Sequence, residues 1–271
     1  METDIKRLIE QEPDNPEHYK QLGNHYFELG DYEHALECYC KSLEIDPGFV
    51  KAAYNAGNAC YKLKRFDDAV NWWKQVLKLS PEHQKTYVGL AEIHYSQHKV
   101  AEATEMYQKA LSLDPDDVNA LVSLALIHYD QAEYDQSIEL YHQALNRKND
   151  DPDIHYNLAN AYYDSFMYDD AIREYSETVK LNPGDAIAYN NLADCYLQKK
   201  DLVKARDFIE KALAIKADLP AAYCTLGEVC MAAGEKAQAL DALGRVVRLT
   251  GRNDMLGRYA KNLIRDIIRC Q

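Results

Sequence analysis

The chain has 271 residues, close to half of them apolar, with few glycines and prolines and no low-complexity stretch. That composition supports extensive burial and excludes wholesale disorder. The formal net charge of −13 argues against a nucleic-acid partner, whose phosphates must be met by Lys and Arg. No apolar run approaches the ~20 residues that a bilayer-crossing helix needs, so direct membrane insertion is not expected.

The seven cysteines are an odd number, with no C-x-x-C, and only Cys38 and Cys40 lie close together. A secreted disulfide framework normally shows an even count. Met1 to Glu12 lacks the long apolar core of a secretory signal. Reduced thiols and a cytoplasmic location are therefore expected, with Cys270 exposed and open to adventitious oxidation. Charge is distributed unevenly. Residues 220–271 hold eight basic and five acidic residues, a net +3, which leaves −16 for residues 1–219. A basic end on an acidic chain could meet acidic partners or another copy, although solvated helix faces are the plainer account.

Residues 1–15 read as a capping helix or half-repeat, with Ile5, Leu8 and Ile9 on apolar places and Pro13 ending it. From Pro16 the chain repeats every 34 residues, giving units 16–49, 50–83, 84–117, 118–151, 152–185, 186–219 and 220–253. Place 8 of each unit is small: Gly23, Gly57, Ala91, Ala125, Ala159, Ala193 and Gly227. Place 20 is Ala35, Ala69, Ala103, Ser137, Ala171, Ala205 and Ala239. Place 24 is large: Tyr39, Trp73, Tyr107, Tyr141, Tyr175, Ile209 and Leu243.

Places 4, 7, 8 and 11 share one helical face, as do 20, 24, 27 and 28, so each unit should hold two amphipathic helices. Small residues at 8 and 20 let the two backbones approach, and large ones fill the surrounding space. The turn between them should fall near Gly30-Asp31, Lys200-Asp201 and Gly234-Glu235. Proline at place 32 (Pro47, Pro81, Pro115, Pro183) ends the second helix, and Pro152 and Pro220 open the next. Residues 254–271 read as a terminal capping helix. Met255, Leu256, Tyr259, Leu263 and Ile267 form its buried stripe, while Arg258, Lys261, Arg265 and Arg269 face water. Ile264 and Ile268 widen that stripe, which makes self-association through Arg258, Ile264, Arg265, Ile268 and Arg269 an expectation.

These columns resemble the tetratricopeptide repeat family, over nearly nine-tenths of the chain. The resemblance implies an all-α solenoid in which antiparallel helix pairs stack into a right-handed superhelix. It also implies a concave groove lined by places 2, 5, 6, 9, 12 and 13 of each unit. Place 12 is aromatic in five units: Phe27, Tyr61, Tyr95, Tyr129 and Tyr163. Such rings suit binding surfaces, though tyrosine is also common there in the family. Asn24, Asn58 and Asn160 at place 9, with Asn55, Asn157 and Asn191 at place 6, could grip an extended backbone.

Charge along that face changes sign. Lys20, Lys51, Lys62 and Lys85 come first, partly offset by Glu17 and Glu28; Glu92, Asp130, Asp153, Asp164, Asp194 and Glu228 follow. Val88, Val122 and Leu126 make the middle apolar. The expected ligand is a protein or peptide, acidic toward the amino-terminal repeats and basic toward the carboxyl-terminal ones. In co-chaperones of this family a clamp for a terminal carboxylate uses five side chains. Lys20, Asn24, Asn55 and Lys85 match four of its places, and the fifth, normally Arg, is Gly89.

No phosphate-binding loop, nucleophile elbow or H-E-x-x-H motif occurs. His94 and His98 could share a metal, but His94 and His128 fall at place 11, a core position, where Cys60 and Cys230 also sit. No cofactor is expected. The sequence thus reads as a non-catalytic adaptor that holds a peptide or helix. Alternatives are a self-assembling scaffold of the magnetosome-associated type, a co-chaperone, or the regulatory region of a larger enzyme such as a glycosyltransferase.

Overall fold

A computed structural model describes residues 1–250 and 254–269. Among these residues there are sixteen α-helices and no strand. They are α1 (Glu2–Gln11), α2 (Pro16–Glu28), α3 (Tyr32–Ile45), α4 (Val50–Lys62), α5 (Phe66–Leu79), α6 (Gln84–Ser96), α7 (Val100–Leu113) and α8 (Val118–Asp130). They continue with α9 (Tyr134–Arg147), α10 (Pro152–Asp164), α11 (Tyr168–Leu181), α12 (Ala186–Gln198), α13 (Leu202–Ile215), α14 (Pro220–Ala232), α15 (Lys236–Leu249) and α16 (Met255–Arg269). The even-numbered helices α2 to α14 each begin 34 residues after the last, the period of the sequence columns. The chain forms two compact units, residues 1–120 and 121–271. In the first, each helix from α1 to α7 packs on the next; in the second, the same holds from α9 to α16.

The close-approach columns explain the pairing. Every residue at place 20, from Ala35 to Ala239, has no exposed surface. Place 24 fills the space beside it. A Cβ placed on Gly57 would come 2.3 Å from Trp73 Nε1, and one on Gly23 would come 2.5 Å from Tyr39 Cε1. Gly227 stands in the same relation to Leu243, at 2.6 Å from Cγ. These glycines are small because a large side chain occupies their Cβ direction.

The turn within each pair places one residue in the left-handed region. Gly30 and Gly234 suit it, but Lys64, His98, Ala132, Phe166 and Lys200 adopt it too, with φ from 58° to 63°. A side chain there costs about 1–2 kcal/mol relative to the right-handed region. Sequence marked this turn only where Gly or Lys-Asp stood; the other four repeats carry the same geometry without the glycine signal. Asn15, Asp31, Asp151, Asp185 and Asp201 cap the helices that follow them by accepting backbone N–H bonds.

Helices α1 and α16 differ from the sequence expectation in detail. Ile5 and Ile9 of α1 pack with Leu22, Cys38 and Tyr26, but Leu8 is exposed. α1 rests mainly on α2, so only its i, i+4 ridge is covered. In α16, Gly257, Ala260 and Ile267 are buried, with Leu256, Leu263 and Ile264 half-buried beside them. Met255 is 78% exposed and Tyr259 lies at the margin, its hydroxyl donating to Glu228 Oε1 at 2.6 Å. Two small residues let α16 close on its neighbours, which turns the buried stripe away from Met255 and Tyr259.

Cys38, Cys60, Cys195, Cys224 and Cys230 are buried and Cys40 is half-buried. Burial pushes the Cys60 thiol up to about 11 and that of Cys195 up to about 12. Cys270 lies outside the described residues, as do Arg252 and Asn253. Among the described residues no helix is long and apolar enough to cross a membrane.

Candidate functional site

The first helix of each pair turns places 5, 6, 9, 12 and 13 to one face, because these recur at helical spacing opposite the buried ridge. In the first unit that face holds two hollows. The larger, about 360 Å³, is lined by Phe27, Asn58, Tyr61, Lys62, Lys85, Val88 and Glu92 of the expected set. Tyr54, Trp73, Gly89, Asp117 and Asn119 complete it. Its floor is Trp73, 2% exposed, whose indole N–H donates to the Tyr54 carbonyl at 3.3 Å. The Tyr61 ring lies 6.0 Å from the indole. Lys62 and Lys85 are exposed at the rim, and among the described residues neither makes a close salt bridge, though Lys62 acts on Glu92 through space. Glu92 can be reached by solvent, yet the walls around it displace bulk water. That burial raises its pKa above the ordinary carboxylate value, against the lowering effects of Tyr61 and Lys62.

The smaller hollow, about 160 Å³, is lined by Asn24, Phe27, Glu28, Tyr39, Asn55 and Asn58. Asn24 Oδ1 accepts from Tyr39 Oη at 2.9 Å and from Asn55 Nδ2 at 2.8 Å, which fixes both amides. Lys20 is not at this surface in the way the sequence suggested. Its side chain is 13% exposed, pairs with Glu17 at 2.6 Å and lies 5.9 Å over the Phe49 ring. Glu17 is held below its ordinary value chiefly by that hydrogen bond. Lys51 is exposed on the same helix face as Asn55 and Asn58.

The second unit finishes the same columns differently. A hollow of about 130 Å³ is lined by Tyr129, Asn160, Tyr163, Asp164, Tyr175, Asn191 and Asp194. Here the tyrosine of one repeat bonds a carboxylate of the next. Tyr129 Oη donates to Asp164, and Tyr163 Oη donates to Asp194 Oδ2 at 2.7 Å. Tyr175 Oη donates to Asn160 Oδ1 at 2.5 Å, and Asn191 Nδ2 reaches Tyr156 Oη at 3.1 Å. Burial, then the carboxylate partner, holds the Tyr129 and Tyr163 hydroxyls well above the ordinary tyrosine range. Leu126 and Asp130 are exposed on α8. Tyr95, Val122 and Asn157 are half-buried, and none of these five lines the hollows described above. On α16, Arg258, Arg265, Ile268 and Arg269 are exposed, whereas Ile264 is drawn into the packing beneath.

Family models match this sequence at several places. Models described as TPR repeat or Tetratricopeptide repeat match residues 23–63, 50–83, 91–132, 127–165 and 156–220. The chain belongs to the tetratricopeptide repeat family. No curated protein matches its sequence. Solved TPR structures resemble its fold. The C-terminal part of a TPR repeat-containing protein from Cytophaga hutchinsonii aligns with a TM-score of 0.73 at 17% identity, over 90% of this chain and 98% of that one. YrrB, a TPR protein with an unusual peptide-binding site, gives 0.64 at 19% identity, over 69% and 96%. MamA from Desulfovibrio magneticus RS-1 gives 0.58 at 15% identity, over 62% and 95%.

Within this TPR frame Gly89 has a physical explanation. A Cβ there would lie 2.6 Å from Trp73 Cη2. The indole of the second repeat occupies the space that a clamp arginine of the third would enter. Sequence reading missed Trp73 as part of the site, because place 24 is a core column. The signal was available in Gly89, the one glycine at place 6. His94 is half-buried at the core edge, and His128 Nδ1 lies 2.5 Å from Glu133. His98 occupies the left-handed turn position and is exposed.

Proposed function

We propose that this TPR protein is a non-catalytic interaction scaffold whose first-helix faces hold a peptide or helical segment of a partner. The observation that carries this reading is the larger hollow of the first unit: an aromatic floor of Trp73, Tyr54 and Tyr61 beneath two exposed lysines, Lys62 and Lys85, with Glu92 and Asp117 also in its wall. A fitting ligand has an apolar or aromatic side chain set between carboxylates. With Trp73 where a clamp arginine would stand, an internal acidic segment fits better than a chain-terminal carboxylate. The carboxylate-lined face of the second unit favours basic residues of the partner. The test is fluorescence anisotropy with labelled peptides of sequence-scrambled composition, acidic-aromatic against basic-aromatic. The acidic set should bind, and the double substitution K62E/K85E should weaken it about tenfold or more. Equal binding of the basic set, unchanged by that substitution, would sink the proposal.

A further inference from the structure

Two columns of the repeat, places 11 and 23, compensate for each other in volume. Tyr26 goes with Cys38 in the first repeat, Cys60 with Trp72 in the second, and Tyr196 with Phe208 in the sixth. The third to fifth repeats combine His94, His128 and Tyr162 with Met106, Leu140 and Glu174. At least one member is large each time. The seventh repeat alone has two small ones, Cys230 and Ala242.

Within the second unit, the sixth repeat shows what these columns fill. Tyr196 stacks on Phe208 with centroids 5.4 Å apart and planes within 5°, and Tyr189 lies 6.4 Å from Phe208, 25° from parallel. The seventh repeat keeps the counterpart of Tyr189, Tyr223, and lacks the other two rings. At those positions there is an apolar hollow of about 520 Å³. Cys230 and Ala242 line it, 1% and 3% exposed, with the half-buried Leu213 and Leu226 beside them. Tyr223 is its aromatic wall. The Tyr223 hydroxyl donates to the Ala217 carbonyl at 3.0 Å and accepts from Arg245 Nη1 at 3.0 Å, which fixes the ring. Lys211 covers Phe208 at 4.5 Å, whereas its counterpart Arg245 covers Tyr223, at 5.2 Å.

An unfilled apolar space forfeits contacts for every atom that lines it. What would restore them follows from the walls. The missing rings are flat, so the space beside Tyr223 suits a planar ring system that can lie against an aromatic face. Two rings are missing, so a fused pair fills more of the space than a single ring does. The charges at the rim are already matched: Asp241 with Arg245 at 3.5 Å and with Arg248 at 3.9 Å, and Arg206 with Glu235. None of them calls for a charged occupant, and burying one would forfeit its hydration.

We propose that the hollow of the seventh repeat binds a small neutral molecule with a fused planar aromatic ring system, of the size of an indole. The site does not rest on the peptide-binding reading of the first-helix faces.

The test is methyl-resolved NMR of the whole chain, titrated with indole and, separately, with cyclooctanol, a neutral non-planar probe of similar size. Indole should shift the Leu213, Leu226 and Ala242 methyl signals and saturate with a dissociation constant on the order of 0.1–1 mM. Cyclooctanol should bind about three- to tenfold more weakly, the worth of the ring contacts it cannot make. Two variants fill the space from within: A242F from α15, as Phe208 does, and C230F from α14. In either folded variant the saturable shift at Leu213 and Leu226 should be lost. Wild-type signals that do not move, or that respond equally to cyclooctanol, overturn the proposal whether or not the variants fold. So do shifts confined to Val88 in the hollow of the first unit, or a folded variant that binds indole as the wild type does. A hollow that accepts a tryptophan-bearing peptide but not free indole belongs to a partner chain, and overturns it too.

Discussion

The larger hollow of the first unit and the hollow of the second are built on the same columns of the same repeat, yet they are finished in opposite ways. In the second, the carboxylates of Asp164 and Asp194 already accept tyrosine hydroxyls from the preceding repeat. In the first, Lys62 and Lys85 are exposed at the rim of an indole floor, and among the described residues neither makes a close salt bridge. The column decides where a side chain points. The neighbouring repeat decides whether it has anything left to offer a ligand.

The largest expected effect breaks this contrast at its source. Trp73→Ala should lower stability by about 3–5 kcal/mol, as removal of large buried side chains does, and should abolish acidic-peptide binding. Urea unfolding and anisotropy measure the two; a stability loss that spares binding would remove the indole from the site. Next in size, Gly57→Ala should cost about 1–3 kcal/mol by forcing Trp73 aside. Gly227→Ala should cost less, because it meets the branched end of Leu243 rather than a rigid indole. Equal urea midpoints for the two would break the comparison.

A smaller effect sharpens it from the other side. Tyr163→Phe should cost about 1 kcal/mol, the usual worth of a hydrogen bond, and should release Asp194 Oδ2 while Gln198 still holds Oδ1, so that basic peptides bind the second unit more tightly. In the opposite direction, Phe166→Gly should raise stability by up to about 1 kcal/mol by relieving a left-handed side chain; a lower thermal midpoint would contradict it.

The last expectation concerns pH. Glu92 has a folded-state pKa above its unfolded value, because burial disfavours its charge. It therefore binds its proton more tightly when folded. Its contribution to stability falls as pH rises from the ordinary carboxylate value through the raised one, then levels off. Glu92→Gln should flatten that part of the stability profile, and unfolding midpoints across the acid range would show it. An unchanged slope would mean that the hollow around Glu92 is as wet as bulk solvent.

Helix number, period and pairing were legible because places 8, 20 and 24 are steric columns, and sterics repeat with the backbone. Much of the candidate face was legible for the same reason. What sequence hid were relations between repeats. Lys20 looks available until Glu17, one turn earlier on its own helix, is seen to hold it. Gly89 looks like a missing clamp residue until Trp73 is found in its place. The α16 stripe was misread at Met255 and Tyr259, since the small residues Gly257 and Ala260 decide which ridge closes on its neighbours. The left-handed turn at Lys64, His98, Ala132 and Phe166 carries no composition signal, because packing on both sides enforces it.

The buried cysteines give the molecule a built-in set of clocks. Cys38 and Cys60 report from α3 and α4, and Cys195, Cys224 and Cys230 from α12 and α14. Closed to solvent, and with thiols such as those of Cys60 and Cys195 held in the protonated form, they should react with a disulfide reagent only when their own helices open. Labelling rates read peptide by peptide would time the opening of each stretch of the array. They would show whether it frays from its ends or parts in the middle.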